Sequence, residues 1–568
     1  MSSVIEFKDF SFRYKSQNEF TLHNINLTIN KGEKVLILGP SGSGKTTLGS
    51  CINGLIPFSF DGEIVGSCKI CGNETKETSI FKLSEHVGTV QQDTDAQFVG
   101  LSVGEDIAFS LENNITPRPE MLEKVKESAT IVGMEDFLNN VPYNISGGQK
   151  QKVALAGVLH NNVEILLFDE PLAALDPAMG MSAVDLIDKI HKEKGATIII
   201  IEHRLEDVLY RDVDRIILMN EGKILLDTTP NELLRSNLLK ENGIREPLYI
   251  SALKNAGIKF DESDDLESID RLDVNKYKQK IIDDFKQATV ETTKNVNDEI
   301  VKLDNVTFKY GEFPALKNIS FSINKGEKIA VVGKNGAGKS TLAKLLCGII
   351  RPTEGTITLK DNNYLNMTIK ELAQIVGYVM QNPNQMLVKD MIKEEIELAL
   401  KLNNYDEATI KERVDETLKM TGLYSMRNWP IAVLSYGQRK RVTIASILVL
   451  RPDIIILDEP TAGQDYNRYT EIMKFITELN ENYNITILFV THDMHLAIEY
   501  TNRAIVFSDG ELIGDDAVYK VLSNDEIIEK ANLKKTSLVT LAQKVGIDSE
   551  KFIHYFIQRE KEERINGW

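Results

Sequence analysis

Short runs of four to six apolar, mostly β-branched residues recur along the chain. Each is closed by a glycine or a charged residue. VLILG (35–39) and IAVVG (329–333) end in glycine, while EILLFDE (164–170), ATIIIIEH (196–203), DIIILDE (453–459) and ITILFVTH (485–492) end in acidic or imidazole side chains. Runs this short and apolar on both faces predict buried strands of a parallel sheet. Between them lie stretches with apolar residues at helical spacing, such as KVALAGVL (152–159) and RVTIASILVL (441–450). Strand, glycine-rich turn and helix in alternation predict an α/β fold with a central, mainly parallel sheet.

The whole pattern occurs twice. VIEFKDFSFRY (4–14) returns as IVKLDNVTFKY (300–310), and GPSGSGKTTL (39–48) as GKNGAGKSTL (333–342). Gln92 and Gln381, Ser146 and Ser435, Asp169 and Asp458, and His203 and His492 are all 289 residues apart. The same spacing relates Gly257 in NAGI to Gly546 in KVGI. A repeat of roughly 250 residues is a duplicated domain, not a solenoid unit. The reading is therefore a first domain at 1–258, an acidic linker at 259–298 and a second domain at 299–568, each domain ending in a small helical tail. The linker opens with DESDDLESID (261–270) and contains KQKIIDDF (278–285), which predicts a short helix in an otherwise solvated connector.

Composition narrows the function classes. The 568 residues carry 66 Lys and Arg against 84 Asp and Glu, a formal charge of −18, with 42% hydrophobic residues. That is too apolar for a disordered chain and too acidic for a general nucleic-acid binder. Cys51, Cys68, Cys71 and Cys347 are too few for a disulfide framework, and the lone C-x-x-C at Cys68 and Cys71 reads as incidental thiols. The N-terminus is charged where a signal peptide is apolar. The longest apolar runs, including 198–201 and 454–457, fall far below the ~18 residues of a membrane span. Any membrane role is expected to come through a partner.

Two segments match G-x-x-x-x-G-K-[ST]. One is Gly39, Pro40, Ser41, Gly42, Ser43, Gly44, Lys45 and Thr46, followed by Thr47; the other is Gly333, Lys334, Asn335, Gly336, Ala337, Gly338, Lys339 and Ser340, followed by Thr341. Glycines there let successive N–H groups turn onto phosphate oxygens, and the helix that follows adds its positive N-terminal end. Lys45 and Lys339 are placed to bridge β- and γ-phosphates, and Thr46 and Ser340 to ligate Mg²⁺. At two strand ends, Asp169 and Asp458 are expected in the Mg²⁺ shell, and Glu170 and Glu459 are positioned as general bases toward water. Ser146-Gly147-Gly148-Gln149 and Ser435-Tyr436-Gly437-Gln438 each open a helix, the serine 23 residues before its Asp-Glu pair. Ser followed by Gly at a helix start is a good anion receptor. His203 and His492, each 34 residues after the Asp, predict a γ-phosphate contact.

Phosphate loop, Gln92 or Gln381, signature loop, Asp-Glu and His together resemble the ATP-binding cassette (ABC) ATPases over nearly the whole chain. DTDAQFVGLSVGEDIAFSLEN after Gln92, NPNQMLVKDMIKEEIELALK after Gln381, IEHRLEDV, LSYGQRKR and DEPTAGQD are similar to the ATPase subunits of energy-coupling-factor importers. The resemblance implies two ATPs with Mg²⁺, sandwiched between the halves as an intramolecular ATPase dimer. Lys45, Asp169, Glu170 and His203 would face Ser435, Tyr436 and Gly437, and Lys339, Asp458, Glu459 and His492 would face Ser146, Gly147 and Gly148. It implies adenine stacking on Tyr14 and Tyr310, and catalytic and Mg²⁺ roles for Gln92 and Gln381. It also implies two partners, an integral membrane coupling protein and a small membrane substrate-binding protein, and a peripheral place on the cytoplasmic face of the cell membrane. Basic coupling helices would meet acidic residues near the Gln region: Asp93, Asp95, Glu105 and Asp106 in one half, Asp390, Glu394 and Glu395 in the other.

Two departures stand out. Tyr436 replaces the usual first glycine of the signature, so its ring either turns away from ATP or narrows the loop. Ala462-Gly463-Gln464-Asp465 departs from Ala173-Ala174-Leu175-Asp176. Both lysines and both glutamates are present, so both sites are expected to hydrolyse ATP. The expected function is the energising ATPase of an importer for a vitamin or metal ion. The alternatives are a soluble tandem ATPase acting on ribosomes and a tandem sugar-importer ATPase.

Overall fold

The computed structural model describes residues 2–92, 97–159, 163–173, 175–286, 298–461, 464 and 466–566. Asp93, Asp95, Ala174, Ala462, Gly463, Asp465 and the linker stretch 287–297 lie outside the described residues. The chain divides into two compact units, with the main division between Lys276 and Tyr277.

The first unit contains β1 (Ser3–Tyr14), β2 (Leu22–Asn30), β3 (Lys34–Leu38), β4 (Gly62–Ile70), β5 (Asn73–Glu74), β6 (Val87–Val90), β7 (Ile165–Asp169), β8 (Thr197–Ile201), β9 (Arg215–Asn220) and β10 (Lys223–Thr228). Its main sheet has the order β10-β9-β3-β8-β7-β6. All neighbours pair in parallel except β9 with β10. The predicted apolar runs at 35–38, 165–168 and 197–201 are the buried centre of this sheet. Because the strands are parallel, the phosphate loop after β3, the carboxylates after β7 and His203 after β8 emerge at the same end.

Each unit also has a four-stranded antiparallel sheet that the apolar runs did not announce, in the order β2-β1-β4-β5 in the first. Phe7, Phe10 and Phe12 of β1 are buried in the core it shares with the parallel sheet. Their alternation is broken because Asp9 takes a left-handed conformation (φ 45°) at a register shift between Phe7 and Phe10. A period of two that slips by one residue gives little signal in sequence.

The second unit repeats this plan with β11 (Glu299–Tyr310), β12 (Phe313–Asn324), β13 (Lys328–Gly333), β14 (Glu354–Leu359), β15 (Asn362–Asn363), β16 (Val376–Val379), β17 (Ile454–Asp458), β18 (Thr486–Val490), β19 (Arg503–Ser508) and β20 (Glu511–Ala517). The main sheet runs β16-β17-β18-β13-β19-β20, and the smaller one β12-β11-β14-β15. A helical subdomain lies between β16 and β17: Ile392–Leu402, Glu407–Met420 and Tyr436–Leu448, closed over Ile396, Leu400, Val414, Leu418 and Val442. Its counterpart in the first unit is Val103–Asn113, Arg118–Val132 and Gly147–Leu159.

The helical tails are present, with Leu248–Asn255 in the first unit and Ser537–Val545 and Ser549–Asn566 in the second. The linker differs from a solvated connector. Leu266, Leu272 and Val274 are buried between its acidic residues. The predicted helix forms at Lys278–Lys286 and belongs to the second unit, where Asp284 accepts from Tyr555 (2.8 Å) and Arg559 (2.7 Å).

Candidate nucleotide sites

Both phosphate loops are wound tightly around their lysine. Lys45 Nζ donates to the carbonyls of Gly39 (2.8 Å) and Pro40 (3.0 Å). Lys339 Nζ does the same with Gly333 (2.6 Å) and Lys334 (2.9 Å). Both lysines are buried, so each loop curves around an ammonium group. Gly44 (φ 95°) and Gly338 (φ 105°) occupy left-handed conformations at the mouths of the helices Lys45–Ile52 and Lys339–Leu346. A Cβ on Gly44 would meet Leu22 at 2.8 Å, and one on Gly338 would meet Ala315 O at 2.7 Å. The Ser43 hydroxyl is buried with no hydrogen-bond partner. A cradle that only glycine fits, with a cation at its centre, suits a polyphosphate.

Asp169 and Asp458 close β7 and β17 near these lysines. Burial, reinforced by the charge of Glu170, pushes the Asp169 carboxyl up to about 6, with Lys45 opposing. Burial also raises Asp458, but the Tyr378 hydroxyl donates to it at 2.6 Å and pulls the other way. A hydroxyl from Thr46 or Ser340 and a carboxylate from Asp169 or Asp458 form a hard-oxygen donor set, the kind Mg²⁺ takes.

The glutamates that follow are held in strained backbone. Glu170 (φ 49°) and Glu459 (φ 43°) are both left-handed, and their N–H groups donate to Ile201 O (2.8 Å) and Val490 O (2.9 Å). Strain retained at the same place in both units is what a functional position shows. Glu170 is met by two residues singled out in the sequence for other roles: Gln92 Nε2 donates to Oε2 at 2.6 Å, and His203 Nε2 lies 2.9 Å from Oε1. Glu459 is met by His492 Nδ1 at 2.7 Å from Oε1, by the Thr491 hydroxyl and by the His492 N–H. Gln381 is exposed, and its carbonyl, not its side chain, is held, by Lys440 and Tyr436.

The two signature loops are closed in the same way. Gln149 Oε1 accepts the Ser146 N–H (2.9 Å) and Gln438 Oε1 the Ser435 N–H (2.9 Å), while each serine hydroxyl accepts back from its glutamine N–H. Tyr436 turns its ring within its own unit, with the hydroxyl donating to Gln381 O at 3.2 Å. The aromatic positions differ. Tyr14 is tied through its hydroxyl to Thr47 Oγ1 (3.1 Å), whereas Tyr310 is 47% exposed beside Phe308.

Two residues in IEHRLEDV carry more than the motif suggested. Glu202 is fully buried; its Oε2 accepts the Leu172 N–H (3.0 Å) and its Oε1 the His203 N–H (2.8 Å). Arg204 donates to the carbonyls of Leu172 (2.9 Å) and Leu175 (3.4 Å). Together they hold the chain that follows Glu170. The second unit has Thr491 and Asp493 at these places, and Asp493 instead caps the helix Met494–Tyr500. The contrast between EHR and THD was the available signal.

Of the described acidic residues near the Gln region, Glu105 accepts the Leu101 N–H (3.0 Å), and Asp106 and Glu395 each accept two loop N–H groups. Asp106 Oδ1 accepts the N–H groups of Val99 (2.9 Å) and Gly100 (3.1 Å), and Glu395 Oε2 those of Val388 (2.9 Å) and Lys389 (2.7 Å). They brace a loop whose apolar side chains face outward: Val99 is 61%, Leu101 82% and Val388 74% exposed.

Comparison with known proteins fits this geometry. The family profile described as ABC transporter matches residues 22–173 and 316–462, and one described as ATP-binding cassette cobalt transporter matches 236–308. The chain is 54% identical over 561 residues to a Clostridium perfringens protein named as an ABC transporter ATP-binding protein, covering 98% of this chain and 99% of that one. It is 50% identical over 564 residues to one from Streptococcus pneumoniae, covering 99% and 100%. Among solved structures, cbiO1 from Clostridium perfringens, part of the ABC transporter complex cbiONQ, is 34% identical over 44% of this chain and all of its own, with a TM-score of 0.39.

Proposed function

Because this chain belongs to the ABC transporter family of ATP-binding proteins, we propose that it energises a membrane importer for a vitamin or metal ion. It is a tandem ABC ATPase, binds ATP and couples its hydrolysis to transport. The observation that carries the finer reading is the match of residues 236–308 to the cobalt-transporter family, over the segment joining the two units.

In this reading each ATP lies on one unit's phosphate loop and is covered by the other unit's signature loop. Lys45 and Lys339 release their loop carbonyls and hold the β- and γ-phosphates. Thr46 with Asp169, and Ser340 with Asp458, would hold Mg²⁺, with Gln92 and Gln381 at its edge. When bound, that ion supplies charge neutralisation to the phosphates. Glu170 and Glu459 orient the attacking water and accept its proton, and His203 and His492 hold those carboxylates in place and reach the γ-phosphate. Covalent linkage keeps the two units at high effective concentration, so closure on ATP and opening after hydrolysis become a motion that a partner can use.

Among the described residues no helix is long and apolar enough to cross a membrane. The partners of this reading are therefore an integral membrane coupling protein and a membrane substrate-binding protein, docked at the cytoplasmic face. The exposed Val99, Leu101 and Val388 beside the Gln regions give such a partner an apolar surface. Native purification in mild detergent followed by mass spectrometry tests it. Copurifying small integral membrane proteins are the expected result. Ribosomes without membrane proteins would overturn the transport reading in favour of a translation ATPase.

A further inference from the structure

We propose that Cys71, His86 and Glu164 form a binding site for a borderline-soft divalent cation of the Zn²⁺ class, at the end of the first unit's sheet opposite the phosphate loop. Their ligand atoms, a thiol, an imidazole nitrogen and a carboxylate oxygen, all lie within 4.8 Å of one another. His86 Nδ1 is 3.5 Å from Glu164 Oε1. Ligands held at about 2.0–2.3 Å from a tetrahedral ion stand about 3.5 Å apart, so the nitrogen–oxygen pair already has the spacing and the sulfur closes by at most about 1.3 Å. All three side chains are partly exposed, which admits the ion and leaves room for water as a fourth ligand.

The backbone around the cluster is fixed. His86 immediately precedes β6 and Glu164 immediately precedes β7, and the Ile165 N–H donates to His86 O at 3.0 Å. Cys71 follows β4, and its N–H donates to Val4 O at 2.8 Å. Cys71, in a left-handed conformation (φ 46°), lies in the two-residue turn that joins β4 to β5, while His86 and Glu164 stand at the starts of adjacent parallel strands.

The second unit shows that the fold does not require this chemistry. At the same 289-residue spacing stand Lys360, Ile375 and Asp453, and there Lys360 and Asp453 form an ordinary ion pair. Only the first unit replaces that lysine with a thiol and brings in an imidazole. Among the described residues this is the one cluster of three such ligands. One cation already competes for it: Lys31 Nζ lies 2.7 Å from Glu164 Oε2, leaving Oε1 toward His86. On coordination Cys71 releases its proton to solvent, and thiolate and carboxylate together balance the ion's two charges. β6 leads to Gln92 and β7 to Asp169 and Glu170, so the ion would tie together the starts of the two strands that carry those groups.

The test uses the full-length chain without nucleotide. Co²⁺ is titrated as the probe, read by thiolate-to-metal charge-transfer absorption, and Zn²⁺ is then measured by competition with a chromogenic chelator. The expected result is one Co²⁺ equivalent with that band, displaced by Zn²⁺ and abolished in Cys71→Ser. His86→Gln and Glu164→Gln each weaken Zn²⁺ binding at least ~10-fold. Lys31→Met strengthens it several-fold, a gain that misfolding does not produce. No band, a band that survives Cys71→Ser, or a band indifferent to both His86→Gln and Glu164→Gln would overturn the proposal.

Discussion

His203 presents its Nε2 to Glu170 at 2.9 Å, whereas His492 presents its Nδ1 to Glu459 at 2.7 Å. The two glutamates share strand, strain and spacing but are held differently. Glu170 is fixed from the Gln region by Gln92, and Glu459 by Thr491 and the His492 backbone of the neighbouring strand end. With both glutamates as the proposed general bases, Glu170→Gln and Glu459→Gln should each lower ATP turnover, and unequally. The double variant should lose ~10²-fold or more. Steady-state phosphate release checks this, and a single variant with parental turnover would remove one site from the mechanism.

Lys45 and Lys339 are the buried centres of their loops, each satisfied by two carbonyls. Replacing either with alanine removes the charge that phosphate meets and leaves those carbonyls without a donor. Nucleotide affinity at the affected loop should fall at least tenfold, while the other loop keeps its own. Titration with a fluorescent ATP analogue should then show one tight site per variant in place of two.

Glu202 is a fully buried carboxylate, and Arg204 supplies the largest opposing charge. The Arg204 guanidinium is bonded to Asp207 (2.6 Å) and to the Leu172 and Leu175 carbonyls, so removing it takes a nearby offsetting charge from Glu202 and leaves those buried acceptors without their donor, at a cost of about 1–3 kcal/mol. Arg204→Ala should therefore lower the denaturation midpoint sharply. Adding Glu202→Thr, the residue that the second unit uses, should recover part of the loss. The pH dependence has a definite sign. Burial already holds Glu202 above its ordinary range, and losing Arg204 raises it further. The folded variant then binds a proton that the unfolded chain has released, so its stability falls as pH rises. Its deficit against the parent should be greatest at neutral pH and shrink on acidification toward the unfolded-state value. Urea melts across pH 5 to 8 would measure it.

The parallel strands and the phosphate loops were legible because both are local: an unbroken apolar run, or eight residues with fixed spacing. The antiparallel sheet was hidden by the register shift at Asp9. Tyr436 could be read in sequence only as a departure. Its partner, the Gln381 carbonyl, is 55 residues away, and nothing local announces that contact. Asp106 and Glu395 looked like surface charge because composition does not reveal direction. Each in fact accepts two successive N–H groups of its own loop. The acidic linker was misleading for a similar reason, since Leu266 and Leu272 are single apolar residues in a charged stretch and still reach the core.

That bracing has a consequence for docking. With Asp106 and Glu395 turned inward, Val99 and Leu101 in the first unit and Val388 in the second stand exposed beside the Gln regions, next to the exposed Glu105, Asp390 and Glu394. Exposed apolar side chains gathered beside a functional region offer a surface for a partner. Leu101→Asp and Val388→Asp should leave nucleotide binding and basal ATPase of the isolated chain within about twofold, because surface changes of this kind move stability by only ~0.5 kcal/mol. Both should weaken recovery of the membrane partner in detergent pull-downs, and the double variant should abolish it. Asp106→Ala loosens the loop but keeps its apolar residues, so it should weaken recovery less. If the aspartate variants recover the membrane proteins as the parent does, docking uses another face of the chain.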